Sequence, residues 1–294
     1  KTIDENKKIH YVNRVVINVN ETCFFKCKMC SFWKNKEKQT FMETEIWDRF
    51  FKRLKKISDN NTRVSFTGGE PLMRPKINEV IDLSVKNGFN TNLNTNGWLL
   101  SRDIIKKLFD AGLQEITLSL DGSTPEIHDY IRGMPGSYKR IFEAIKDMKR
   151  FYKKGNREIK IHIACVVSSL NIDDVVKLAS LIQKNNLIDH LWLQNVTAPF
   201  FEPELNTNIQ YFSENNITNW FKNNSFSYLW PSDEKGIVAA YSKLIFLKKD
   251  PWCKISNSES HLKMQYHYFM HPDRRIANSE CSVSCDLNVD QRGL

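Results

Sequence analysis

Three cysteines, Cys23, Cys27 and Cys30, stand close together in the run NETCFFKCKMCSFW. Thiolates are soft ligands, and three of them at CxxxCxxC spacing can each take one iron of a [4Fe–4S] cluster. The run holds no fourth ligand, so one iron would stay open to a small molecule. Structural zinc asks for four ligands, usually as two close pairs. Ferredoxin-like spacings also use a fourth cysteine. On the cysteines alone, all three readings stay open. The remaining cysteines are Cys165, Cys253, Cys281 and Cys285. An odd total of seven, strongly clustered and without a secretory signal, argues against a disulfide framework and for metal or cluster ligation.

Further polar motifs follow at intervals. Thr67-Gly68-Gly69-Glu70-Pro71-Leu72 joins two glycines, which permit close backbone approach or positive φ, to a carboxylate that could accept from an ammonium. Read alone, it is equally a turn. Asn94-Thr95-Asn96-Gly97 offers side-chain amides that donate and accept together, as ribose hydroxyls require, though Asn-Gly is also ordinary turn chemistry. Ser119-Leu120-Asp121-Gly122 precedes His128-Asp129, Arg132-Gly133 and Gly136-Ser137-Tyr138. Arg132 carries a planar fork that matches a carboxylate, or alone would read as a surface ion pair. Leu193-Gln194-Asn195 closes the series. Cys165, within a strand pattern, reads as a small buried hydrophobe, and His128 as structural.

The elements that must position these motifs are legible as a repeat. β-rich runs occur at RVVINV (14–19), RVSF (63–66), FNTNLN (89–94), EITLSL (115–120), IKIHIACVV (159–167) and HLWLQNV (190–196). They read as strands buried on both faces. Between them lie stripes of helical period: Ile46, Phe50 and Leu54 after Thr44 as N-cap; Ile77, Val80, Ile81 and Ser84; Ile104, Leu108 and Ala111 after Ser101; Ile141, Ile145, Met148 and Tyr152; Val175, Leu178, Ala179 and Ile182. Six alternations of strand and helix imply an α/β fold with a parallel sheet and right-handed crossovers. The count fits a partial (β/α)6 TIM barrel, open on one side. Each motif directly follows a strand, on the face where such architectures place their sites. The expected divisions are a core barrel over 1–196, a connecting, substrate-proximal segment over 197–250, rich in Asn and aromatic residues, and a small cysteine-bearing C-terminal extension over 251–294.

CxxxCxxC after the first strand, then GGEP, NTNG and SLDG at later strand ends, resembles the radical S-adenosylmethionine (SAM) superfamily. The run SLDGSTPEIHDYIRGMPGSY is similar to its members with a SPASM or Twitch C-terminal region. That resemblance implies a [4Fe–4S] cluster on Cys23, Cys27 and Cys30, with the amino and carboxylate groups of SAM on the open iron. Reduction then cleaves the C5′–S bond and releases a 5′-deoxyadenosyl radical. It implies that Gly68, Gly69 and Glu70 hold the SAM amino group, that Asn94 and Asn96 lie near the ribose, that Ser119 contacts SAM, that Arg132 pairs with its carboxylate, and that Gln194 lies near adenine or substrate. Before the last cysteine the family often carries an aromatic residue; Met29 stands there and can still pack against adenine. The closing run CSVSCDLNVDQRGL resembles an auxiliary-cluster region, with Cys253, Cys281 and Cys285 as ligands and Asp290-Gln291-Arg292-Gly293 as its turn.

Net charge is +9 with 43 Lys and Arg against 34 Asp and Glu, which invites a nucleic-acid partner. The lysines, however, are spread through every expected helix and mixed with acids, as on ordinary solvated faces. No apolar run approaches the roughly 20 residues that cross a bilayer, and the polar start shows no secretory signal, so a cytoplasmic protein is expected. The expected function is hydrogen abstraction from a substrate C–H, first as a maturase of a ribosomally made peptide, supplied with electrons by a flavodoxin or ferredoxin. Only a short segment precedes the first strand, leaving no room for a leader-peptide domain. That keeps an oxidoreductase of a small molecule, a sugar or aminocyclitol, as the alternative. From another class, a non-enzymatic zinc or iron–sulfur binding module stays in play.

Overall fold

The computed structural model of the chain describes residues 12–37, 39–197, 220–222, 225–271 and 286–290. The expectations on Cys281, Cys285 and residues 291–293 lie outside these.

The six expected strands form as β1 (Val12–Asn20), β2 (Ser58–Gly68), β3 (Asn90–Thr95), β4 (Glu115–Ser119), β5 (Lys160–Val167) and β6 (His190–Asn195). They pair in parallel as successive neighbours. A seventh strand, β7 (Asp286–Val289), pairs parallel to β1, giving the order β6-β5-β4-β3-β2-β1-β7. Among the described residues the partial barrel therefore holds seven strands rather than the six expected. The extra one comes from the C-terminal run and covers the edge that β1 would otherwise expose. At the other edge residues 254–257 lie along β6: Leu191 N–H donates to the Lys254 carbonyl, and Asn257 caps Leu193 from both sides, accepting from its N–H and donating to its carbonyl.

The strands do not bury two apolar faces. Side chains alternate, as the two-residue period dictates. One set packs under the helices: Val15, Ile17, Val64, Phe66, Leu93, Ile116, Leu118, Ile161, Ile163, Leu191 and Leu193 are all fully buried. The other set faces the barrel's hollow and is largely polar, with Arg63, Ser65, Asn92, Asn94, Thr117, His162 and Gln194 among its members. A closed barrel packs its interior with branched apolar residues; this one keeps room for a ligand instead.

The helices are α1 (Thr44–Leu54), α2 (Ile77–Lys86), α3 (Arg102–Asp110), α4 (Pro125–Arg132), α5 (Ser137–Lys154), α6 (Val175–Lys184), α7 (Glu234–Leu247) and α8 (Glu259–Met270). In α2, α5 and α6 every residue of the expected stripe is buried. In α1 the stripe turns by one residue: Trp47 and Phe51 go inside with Leu54, while Ile46 is exposed. The two aromatic rings stack on each other, and Phe51 meets Phe66 edge-on and Phe89 at a tilt, so the larger apolar payload wins the core. In α3, Ile105 displaces Ile104 from the buried face, while Ser101 caps the helix as expected. One apolar cluster includes Ile17 of β1, Leu193 of β6, Tyr241 of α7 and Leu262 of α8. No helix among the described residues is long and apolar enough to cross a membrane.

Candidate active site

The site begins where β1 ends. Asn20 turns the chain with its side-chain amide: Nδ2 donates to the carbonyls of Thr22 (2.9 Å) and Glu70 (2.9 Å). Its Oδ1 accepts from Thr22 Oγ1 at 2.9 Å. Asn-x-Thr directly after a strand is an Asx-turn signal that the sequence reading passed over. The cysteine loop follows and is laid against two backbones. On one side Gly69 N–H donates to the Asn20 carbonyl (2.6 Å) and Glu70 N–H to the Thr22 carbonyl (2.9 Å). On the other, Lys28 N–H donates to the Ile131 carbonyl at the end of α4 (2.9 Å).

This close apposition explains the glycines. Gly68 has φ +132°, and a Cβ there would stand 2.2 Å from the Asn20 carbonyl oxygen. A Cβ on Gly69 would stand 2.0 Å from that of Thr22. No side chain fits without moving the cysteine loop. Gly69→Ala is therefore expected to lower unfolding free energy by about 3 kcal/mol or more, read from the denaturant midpoint. A loss under about 1 kcal/mol would refute the tight contact.

Glu70 is fully buried, and its carboxylate serves the protein's own donors. Oε1 accepts from Thr95 Oγ1 (2.6 Å) and Leu72 N (3.0 Å), and Oε2 from Asn96 N (2.9 Å). Burial raises its pKa against these hydrogen bonds. The carboxylate thus locks the end of β3 to the turn after β2. Among the described residues the cavity wall includes Gly68, Gly69, Asn94 and Asn96 but not Glu70.

The HDYIRGMPGSY run does similar work. Asp129 accepts from Gly136 N (2.6 Å), Ser137 Oγ (2.8 Å) and Tyr138 N (2.8 Å), capping α5. His128 is buried with Nδ1 accepting from Asp121 N at 3.1 Å. Burial, with Arg132 nearby, drops its pKa to about 3, so it stays neutral. Arg132 reaches inward from the last turn of α4. Its Nε lies 2.5 Å from Asp121 Oδ2, and Nη1 lies 3.9 Å from Cys27 Sγ. Burial works against this charge, but Asp121 and Cys27 outweigh it and raise the pKa. Asp121, unmarked by any site expectation, is the fully buried counter-ion that fixes this guanidinium. Its place two residues after Ser119, at the end of β4, was the available signal.

Cys23, Cys27 and Cys30 open on one cavity of about 670 Å³, with Met29, Asn94, Asn96, Ser119, Arg132 and Gln194 in its wall. That volume suits a drug-sized ligand. Burial pushes the Cys23 thiol up to about 12 and the Cys27 thiol to about 11, and raises Cys30 as well. Such thiols ionise on binding a metal, releasing their protons. No three His, Cys, Asp or Glu among the described residues converge on a single ion. Asn96 Nδ2, in the cavity wall, is buried without a partner among the described residues, leaving a donor for a bound molecule. The residues therefore fit a cluster with a polar small molecule beside it. Of the remaining expected residues, Asn195 turns outward to Tyr241 Oη (2.5 Å) and the Gln265 carbonyl (2.8 Å). Cys165 is fully buried beneath the helices. Cys253 sits half-buried on the helical side, against α6 and the end of α7.

The chain is similar to several known proteins. An AdoMet-dependent heme synthase of Methanosarcina barkeri is 35% identical over 115 residues, 39% of this chain and 31% of that protein. A PqqA peptide cyclase of Rhodopseudomonas palustris is 27% identical over 175 residues, 59% of this chain and 45% of that protein. The chain thus spans less than half the length of these curated relatives. Among solved structures, Streptococcus suis SuiB bound to precursor peptide SuiA superposes with a TM-score of 0.64 at 16% identity, covering 96% of this chain and 58% of that one. The Radical SAM superfamily model matches residues 17–182, more than half of the chain. The chain belongs to the radical SAM superfamily.

Proposed function

We propose that the chain reductively cleaves SAM and abstracts hydrogen from a C–H bond of a peptide substrate. The observation that carries this reading is the opening of Cys23, Cys27 and Cys30 onto one cavity with Gly68, Gly69, Asn96, Ser119 and Arg132. A reduced [4Fe–4S] cluster with SAM supplies, when bound, a 5′-deoxyadenosyl radical. Cys23, Cys27 and Cys30 would hold the cluster, and Asn96 Nδ2 offers the free donor beside it. Arg132, pre-oriented by Asp121, places a positive charge at the Cys27 sulfur and at the carboxylate of an incoming amino acid. In the proposed reaction the barrel would keep bulk water from the hollow, limiting side reactions of the radical.

Peptide as substrate is supported by the hollow below the site. Asn94 and Gln194 line it with side-chain amides that donate and accept, as a peptide backbone needs, while Asn92 spends its own amide on Asn94 Oδ1 (2.7 Å) and Thr117 Oγ1 (3.0 Å). The peptide-directed names among the relatives agree. The auxiliary-cluster reading of Cys253, Cys281 and Cys285 is part of the same proposal.

Anaerobic reconstitution tests it. Protein loaded with iron and sulfide and reduced by dithionite is expected to form 5′-deoxyadenosine, and a deuterated precursor peptide is expected to pass deuterium into it. Zinc as the only metal, with no SAM turnover, would leave the binding-module reading. Turnover stimulated by a sugar or aminocyclitol, with peptides inert, would establish the small-molecule alternative. Retention of iron and sulfide by the triple alanine variant of Cys23, Cys27 and Cys30 supports the auxiliary cluster; retention of none removes it.

A further inference from the structure

The hollow of the barrel has a second end, away from the cysteines. There the inward-facing side chains are basic: Arg14 of β1, Arg63 of β2, His162 of β5 and His190 of β6 all line the cavity. Arg63 stands four residues before Thr67 on β2, roughly 13 Å further down at about 3.3 Å per residue. Among the described residues the cavity wall includes no Asp or Glu. Glu115 of β4 stands behind this layer, its side chain 11% exposed against 39% for Arg63. Three basic groups converge on it: Arg63 Nη2 at 2.6 Å, His162 Nε2 at 3.4 Å and Lys160 Nζ at 3.9 Å. His162 foremost, with the charges of Arg63 and Lys160, holds its carboxyl below the usual range. His162 also stacks on His190, ring centroids 5.4 Å apart, which carries the basic layer on to β6. Arg63 Nε is buried without a hydrogen-bond partner among the described residues, so Glu115 does not use up the guanidinium fork. An ion pair that merely closed the barrel would match its charges. This one presents its cations to the hollow and keeps its acid behind them.

We propose that this floor is a carboxylate clamp, which takes an acidic group of the substrate peptide from an Asp or Glu side chain or from the peptide's C-terminus. The inference rests on the peptide reading of the hollow. Arg63 supplies the recognition: its planar fork matches a carboxylate, and a second carboxylate balances the charge that Glu115 leaves over. A cleft lined by one sign of charge also focuses its field and gathers ligands of the other sign. The clamp lies at the far end of the hollow from Arg132, so it holds the peptide without competing for the carboxylate of a small molecule beside the cysteines. Its side chains stand on strands, and a group fixed on rigid elements positions the rest of the peptide for reaction.

An N-acetylated heptapeptide library tests the clamp. Its central position carries Asp, Glu, Asn or Gln, the other positions are neutral, and each peptide is made with an amidated and with a free C-terminus. Peptides retained by reconstituted, SAM-loaded holoenzyme are counted by mass spectrometry. Wild type is expected to retain amidated Asp and Glu peptides about tenfold or more over their Asn and Gln counterparts, the scale of a charge-assisted hydrogen bond. A preference for free over amidated C-termini, whatever the central residue, supports the clamp with the chain end as its ligand. Arg63→Gln should erase the preference and Arg63→Lys keep part of it. Glu115→Gln, which removes the competing carboxylate, should increase it. A network with only a structural role would instead lose peptides of every charge in both Arg63→Gln and Glu115→Gln, and that result overturns the clamp. A preference that survives Arg63→Gln overturns it too, because the acid is then held elsewhere on this basic chain. Retention by wild type without regard to acidic groups overturns the clamp and leaves the peptide reading standing. Retention of no peptide, with SAM still bound, overturns the peptide reading and the clamp with it.

Discussion

Cys27→Ala is expected to lose the cluster's iron and to cut reductive SAM cleavage by roughly a thousandfold or more, a barrier increase of about 4 kcal/mol. Cys27 is the buried member of the three and has Arg132 Nη1 3.9 Å from its sulfur. Replacement removes a ligand from the inner wall, where water cannot take its place as it could at the half-buried Cys23 and Cys30. It also strips the guanidinium of one of its two negative neighbours once the thiol is ionised by metal. Iron content and 5′-deoxyadenosine yield measure the two losses separately. Cys165→Ala is the matched control, because that thiol lies on the helical side and contacts Asn171 Nδ2 at 3.5 Å rather than the cavity. It should retain both iron and turnover. A Cys27→Ala protein that loads full iron and turns over would contradict the assignment of this cavity.

The second large effect is on stability. Asp121→Ala should lower the unfolding free energy by about 3–5 kcal/mol, the cost of breaking a buried ion pair by removing one partner. Asp121 is fully buried; its Oδ1 accepts from Val166 N at 2.8 Å, and its Oδ2 meets Arg132. The substitution therefore leaves a buried guanidinium without its counter-ion and a strand N–H without its acceptor. Chemical denaturation of the two proteins gives the difference directly. Asp121→Asn, which keeps an acceptor for Val166 but no charge, should fall between. If Asp121→Ala unfolds within about 1 kcal/mol of wild type, the pair does not sustain this fold.

Much of the architecture was legible because it rests on local rules. The six strand runs, and the stripes of α2, α5 and α6, declare themselves by period, and each motif sits at a strand end because strands lead there. Where two apolar stripes competed, as Ile46 and Phe50 against Trp47 and Phe51 in α1, period alone could not choose. The choice was made by which rings met Phe66 and Phe89 of the neighbouring elements. β7 was legible only in part: the resemblance implied an apolar strand before the Asp290 turn, but nothing in Asp286 to Val289 says that it joins the barrel's sheet, which the open edge of β1 decides.

The spacing of Cys23, Cys27 and Cys30, and the order GGEP, NTNG, SLDG, were enough to determine the chemistry toward which the chain points. Ligand type and spacing along the backbone are covalent facts that any fold must respect. What only the tertiary structure decided is how those motifs are used. Gly68 and Gly69 are glycines because the cysteine loop lies against them, with no room for a Cβ. Glu70 spends its hydrogen bonds on Thr95, Asn96 and Leu72, tying one strand end to the next. Arg132 faces Cys27 because Asp121 holds it there from beneath. The Glu70–Thr95 contact joins residues 25 apart in sequence, and the Arg132–Cys27 contact residues 105 apart. Distance in space, burial and the loss of competing water set their strength, and none of the three is written in a single strand or helix.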